Sequence, residues 1–181
     1  MKAENDWTLS QVRRYPNRLY AACSVNPRRN HAVAEIERCA ASGGFKALKV
    51  HFDASGVDFT NREHVASVRR AFATANRLRL PVVAHLQSEA GPYGAQQART
   101  FLSEIMPEAP DVPVTVNHLW GGGLYGQGAA EALSVFAESV QRGDRATSNL
   151  RFDLAQTSMM VPKHEDRARL VARMRQIGFA R

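Results

Sequence analysis

Hydrophobic residues along this chain come in two alternating patterns. Short strand-like runs rich in apolar residues lie at residues 19–25, 45–52, 80–86, 112–119 and 150–155. They have the length and β-branched content of strands. Their starts are about 26 to 38 residues apart, room for a strand, a helix and two loops, five times over. Between them the apolar positions switch to a 3.6-residue period. Val65, Val68, Phe72, Ala75 and Leu78 form one stripe; Ala98, Phe101, Leu102 and Ile105 a second; Ala129, Leu133, Phe136 and Val140 a third. Leu170, Val171, Met174 and Ile177 form the last, which Gly178 should end. Thr60 and Glu63 have capping-box spacing. Val33, Ile36 and Ala40 mark a shorter helix with Asn30 as its cap, and a first helix is expected over 8–14, stopping before Pro16.

The runs are apolar on both faces, as in Pro81-Val82-Val83-Ala84-His85-Leu86, which suits parallel strands covered by helices. Two architectures fit this alternation: an open doubly wound sheet of five strands, and part of an eight-stranded barrel, which normally needs about 250 residues. Periodicity does not separate them. A single domain over 1–181 is expected, since no Gly-rich or Pro-rich linker divides the chain.

Both architectures gather functional groups at the C-terminal ends of parallel strands, and here those ends are polar. The first run ends Ser24-Val25-Asn26, the second Lys49-Val50-His51, the third Val83-Ala84-His85, the fourth Val116-Asn117-His118, and the fifth carries Arg151 and Asp153. Alternation puts Lys49 with His51, Val83 with His85, Val114 and Val116 with His118, and Arg151 with Asp153. If these faces point inward, three imidazoles, an amine and a carboxylate converge on one rim, donors suited to zinc, iron or manganese. A histidine closing a strand is ordinarily a hydrogen-bonded core or loop residue; three closing successive strands are harder to explain separately. His31, His64 and His164 fall on expected helices and read as surface residues.

Charge and composition narrow the function classes. The formal net charge is +7, but the arginines are scattered over separate helices without interleaved aromatics, which argues against a nucleic-acid partner. No apolar run approaches the roughly 20 residues that span a bilayer, and the N-terminus lacks the apolar core of a secretory signal. Cys23 and Cys39 read as two buried thiols in a reducing, cytoplasmic setting, and the absence of CxxC argues against a zinc–thiolate site. Gly121-Gly122-Gly123-Leu124-Tyr125-Gly126 formally matches a dinucleotide fingerprint. That signal is weak, because Asp144 falls in a turn and Asp153 comes too late to bind a ribose.

Taken in order, these segments resemble the amidohydrolase superfamily, in particular its amidohydrolase-related branch of barrel-shaped metal-dependent hydrolases. The resemblance is carried by Ala22-Cys23-Ser24-Val25-Asn26-Pro27, by Gly44-Phe45-Lys46-Ala47-Leu48-Lys49-Val50-His51-Phe52 and by Leu80-Pro81-Val82-Val83-Ala84-His85. It continues in Asn117-His118-Leu119-Trp120-Gly121-Gly122-Gly123 and Leu150-Arg151-Phe152-Asp153-Leu154-Ala155.

The resemblance implies a partial (β/α)8 barrel and a divalent metal, zinc by preference. His85 would be a metal ligand, and His118 a ligand or the group that polarises substrate and water. Lys49 and Asp153 would assist catalysis. His51, Asn26, Trp120 and Arg151 are candidates for contacting a small-molecule substrate, Arg151 through an anionic group. Loops 87–94 and 120–126 would wall the pocket. Two departures stand out. The family's opening His-x-His pair is absent, and the chain ends at Gly178-Phe179-Ala180-Arg181, where the strand with the final metal-binding aspartate should begin. The expectation is therefore a barrel lacking its first and last strands, weakly active or inactive by itself, with exposed edges through which copies could associate.

Overall fold

The alternation of apolar runs and stripes translates into five parallel strands separated by helices. The computed structural model describes residues 1–86, 93–121, 125–155, 161 and 164–178. The strands are β1 (Ala21–Val25), β2 (Phe45–His51), β3 (Val82–His85), β4 (Val114–Val116) and β5 (Leu150–Phe152). The main helices are α1 (Lys2–Val12), α2 (Ala32–Ala41), α3 (Arg62–Arg77), α4 (Ala95–Thr100), α5 (Gln127–Gln141) and α6 (His164–Ile177). Beyond α4 the chain continues through a π turn at Phe101–Ile105 and a 3-10 turn at Met106–Glu108.

The strands pair in the order β1-β2-β3-β4-β5, each parallel to its neighbours. That order decides between the two architectures. A doubly wound sheet reverses direction at a switch point, where its ligand binds. A sheet that always steps the same way through right-handed crossovers keeps its helices on one face and curls toward a barrel. The fold is thus α/β, with five strands in a partial (β/α)8 arrangement.

The two faces of the sheet differ. Cys23, Val25, Leu48, Val50, Val82, Ala84, Val114, Val116 and Leu150 point into the helix layer and are buried. There they meet Ile36, Val68, Phe72, Phe101, Leu133 and Phe136. The opposite face carries Ser24, Lys49, Val83, Thr115 and Arg151, all only partly buried. Phe45 and Leu48 are both buried because the register slips between Ala21 and Ala22, leaving Lys46 exposed.

Helix ends depart from the sequence expectation where capping is concerned. Asn61, not Thr60, caps α3, its side chain accepting from the N–H groups of Glu63 and His64. Thr60 is engaged instead with Asp58. Helix α2 starts after His31, with no side-chain cap, so Asn30 does not fill that role. Gly178 ends α6 with φ 96°, as expected of a glycine in the left-handed region.

Helix α1 begins six residues earlier than the 8–14 expectation, at Lys2. Its anchors are Leu9 and Asn5, both buried, and a buried asparagine is invisible to a search for apolar periodicity. The Asn5 carboxamide pairs with Ser24 as a neighbouring strand would, donating to its carbonyl at 3.0 Å and accepting its N–H at 2.9 Å. At that point α1 covers an edge of β1 that the sequence reading left bare. Asn5 also donates to Glu35 at 2.8 Å, and Arg38 adds hydrogen bonds of 2.8 and 2.7 Å to the same carboxylate. Beside this cluster Cys23 of β1 and Cys39 of α2 form a disulfide, Cα–Cα 6.1 Å. This corrects the expectation of two free thiols. Both side chains point into the same sheet–helix layer, which linear spacing does not reveal. The reading of a reducing compartment rested on free thiols and loses that support. Among the described residues no helix is long and apolar enough to cross a membrane.

Arg38 holds the buried Glu35 carboxyl down at about 2, outweighing the upward push of burial. An unfolded glutamate titrates near ~4.3, so on acidification the unfolded state takes up the proton first. The stabilisation is complete above that value and is lost as pH falls toward 2. Melting temperatures measured across this acid range should fall more steeply for the native chain than for Glu35→Gln. Parallel curves would show that the pair contributes nothing.

Candidate active site at the strand ends

Register aligns the inward residues in two rows. Ser24, Lys49, Val83, Thr115 and Arg151 are successive partners across the five strands. Two residues further along each strand lies the second row, in which His51 pairs with His85. Their rings stack with centroids 3.9 Å apart and planes 18° from parallel. His85 meets His118 edge-on, centroids 4.9 Å apart. The three imidazoles are contiguous at the mouth of the sheet.

His118 arrives there by a route that strand alternation does not predict. β4 ends at Val116, and continued alternation would send His118 into the helix layer with Val114 and Val116. Asn117 occupies the row position instead. The chain then turns through three successive non-glycine residues in the left-handed region: His118 (φ 53°), Leu119 (φ 51°) and Trp120 (φ 72°). Such conformations cost about 1–3 kcal/mol each and persist only where surroundings impose them. Here the Asp153 carboxylate accepts the His118 N–H at 3.0 Å, and the Asp153 carbonyl accepts that of Leu119 at 3.1 Å. Trp120 is fully buried, donates its indole N–H to the Tyr93 carbonyl at 2.8 Å, and packs edge-on against Phe101 and Phe136.

Hydrogen-bond partners give the imidazoles different roles. His118 Nδ1 lies 2.7 Å from the Ala155 carbonyl, which can only accept. The neutral ring therefore carries its proton on Nδ1 and keeps a lone pair on Nε2. His51 is the reverse: its Nδ1 accepts the Ala54 N–H at 3.1 Å, so its Nε2 bears the proton. Among the described residues, the His85 ring makes ring contacts but no hydrogen bond. Burial pushes His85 down to about 4, helped by the neighbouring His51, Lys49 and His118. Burial and Lys49 lower His51 as well. Burial also lowers the Lys49 amine, against the opposing charge of Asp153. Neutral imidazoles are the form that binds metals.

The remaining expected site residues divide. Lys49 and Asp153 join through Asn117, whose amide, oriented to satisfy both neighbours, accepts from Lys49 Nζ at 2.7 Å and donates to Asp153 Oδ2 at 2.9 Å. Asn117 was not among the sequence candidates, because the sequence reading took the face of Val114, Val116 and His118 as the inward one and the structure turns Thr115 and Asn117 inward instead. Arg151 turns away from the mouth and donates to the Leu150 carbonyl at 2.8 Å, at the start of its own strand. Asn26 closes a turn, accepting the Arg28 N–H at 3.0 Å. Trp120 is a core residue that anchors the left-handed segment. Most of the expected pocket walls, residues 87–92 and 122–124, lie outside the described residues, as does the middle of the Gly121–Gly126 motif. The Asp144 carboxylate, weighed as a ribose ligand, pairs with Arg142 at 2.8 Å in the turn before β5.

Among the described residues, three His, Cys, Asp or Glu ligand atoms converge only at Cys23, Glu35 and Cys39. There the sulfurs are bonded to each other and Glu35 is engaged by Arg38 and Asn5. The mouth offers two imidazoles with unengaged nitrogens.

The model of a protein family described as Amidohydrolase matches residues 1–145. No curated protein matches the chain.

Proposed function

Because the chain belongs to the amidohydrolase family, we propose that its strand-end histidines serve a metal-dependent hydrolase acting on a C–N or C–O bond of a small molecule. The observation that carries this reading is the contact between His85 and His118, 4.9 Å between centroids, each with a ring nitrogen that has no hydrogen-bond partner among the described residues. Two imidazoles side by side would suit a divalent cation, zinc by preference, as two of its ligands. When bound, such a cation supplies Lewis acidity, polarising a carbonyl and making water more acidic.

The chain's own groups complete the reading. The Nε2–H of His51, fixed by the Ala54 hydrogen bond, is a donor for the substrate oxygen on which charge develops. Hydrogen bonds link Lys49 of the first row to Asn117, and Asn117 to Asp153. Burial pushes His85 down to about 4 and lowers His51 as well, which favours the neutral form of both rings. Decarboxylation is the neighbouring chemistry such a site would support.

A second reading, metal or ligand binding without catalysis, is favoured by the ligand count, because catalytic zinc ordinarily takes three protein ligands. Titration with zinc against a chromophoric chelator, followed by assays on amides, esters and lactones, tests both. One bound equivalent with metal-dependent turnover supports the hydrolase. One equivalent without turnover supports the second reading. Absence of zinc binding removes the hydrolase and leaves the second reading only in its metal-free form.

A further inference from the structure

The Asp153 carboxylate is engaged on both oxygens. Oδ1 accepts the backbone N–H of His118 at 3.0 Å and that of Ala155 at 3.1 Å, and lies 3.3 Å from His118 Nδ1. Oδ2 accepts from Asn117, which in turn holds Lys49. A carboxylate engaged in this way holds a backbone or side-chain donor on each oxygen. What it holds is specific. The His118 N–H belongs to a residue in the left-handed region. The Ala155 N–H belongs to the residue whose carbonyl receives the imidazole proton at 2.7 Å. One oxygen thereby ties together the backbone of the histidine and the peptide that its ring addresses.

We infer that Asp153 is a positioning residue that selects the Nδ1–H tautomer of His118 and aims the Nε2 lone pair into the mouth. This rests on the reading of His118 as the group that meets the metal, and it gives Asp153 an orienting part in the site. Without the carboxylate, the Ala155 carbonyl is no longer held, the left-handed backbone loses its charge-assisted hydrogen bond, and both tautomers become accessible.

The test is long-range 1H–15N correlation on the 15N-labelled, metal-free chain at about pH 8, above the ordinary imidazole range. His118→Gln assigns the signals. In the native chain His118 should show a protonated Nδ1 and a bare Nε2. Asp153→Asn keeps an oxygen that can accept both N–H groups, and should preserve that pattern. Asp153→Ala should give averaged shifts and lower zinc affinity by about 10- to 100-fold. An unchanged pattern in Asp153→Ala, or an averaged one in Asp153→Asn, would overturn the inference. If the alanine variant does not fold, Asp153→Leu, close in shape and without an acceptor, takes its place with the same expected and overturning results. The tautomer is read without metal, so failure here is distinct from failure of the metal site, which shows as absent zinc binding in the native chain.

Discussion

Replacing His85 with alanine is expected to lower divalent-cation affinity by about 100-fold or more, at least as much as the loss of an outer-shell partner costs at metal sites. His85 sits between His51 and His118 and contacts both rings. It is the imidazole whose nitrogens have no hydrogen-bond partner among the described residues. His118→Ala should behave alike. His51→Ala is the informative contrast. The His51 Nδ1 is engaged by Ala54 and its Nε2 carries a proton, so its removal should change metal affinity by less than about tenfold. Loss of one hydrogen-bond donor to developing charge should instead reduce turnover by about 10²–10³-fold. Competitive zinc titrations on the three variants separate these outcomes. An affinity loss in His51→Ala equal to that in His85→Ala would show that the ligands are wrongly assigned.

Loss of the Cys23–Cys39 disulfide is the second large effect. The bond closes a loop with a sequence separation of 16, for which chain entropy predicts about 3 kcal/mol of stabilisation. In a chain of this size that corresponds to a melting temperature lower by about 6–12 °C. The bond ties β1 to α2 inside the layer that Asn5 of α1 seals, so both sulfurs are inaccessible in the folded state. Reductant should therefore act only after unfolding. A native sample should titrate no free thiol, and a sample unfolded and refolded with reductant should titrate two and melt lower. Two free thiols in the untreated native chain, or equal melting temperatures, would refute the expectation.

Much of this architecture is legible along the chain, because strand and helix patterns are local. The stripe from Val65 to Ala75 is the buried face of α3. Lys49 with His51, and Arg151 with Asp153, share faces as alternation requires. The runs overreach at their ends: 112–119 reads as one strand, but the strand stops at Val116 and the remainder is a left-handed turn. Alternation has no means of announcing that stop. The non-glycine residues there are held in place by Asp153, 35 positions away.

Local pattern by itself determined the alternation of strands and helices and which residues share a strand face, as Lys49 does with His51, since both depend only on a repeat of 2 or 3.6 residues. Tertiary structure alone decided the sequential strand order, the disulfide, the withdrawal of Arg151 and Trp120 from the mouth, and which nitrogen of His51 and of His118 is hydrogen-bonded. The reason is that these depend on partners brought together by packing. Ala155 for His118 and Tyr93 for Trp120 are distant along the chain and adjacent only once the sheet has formed.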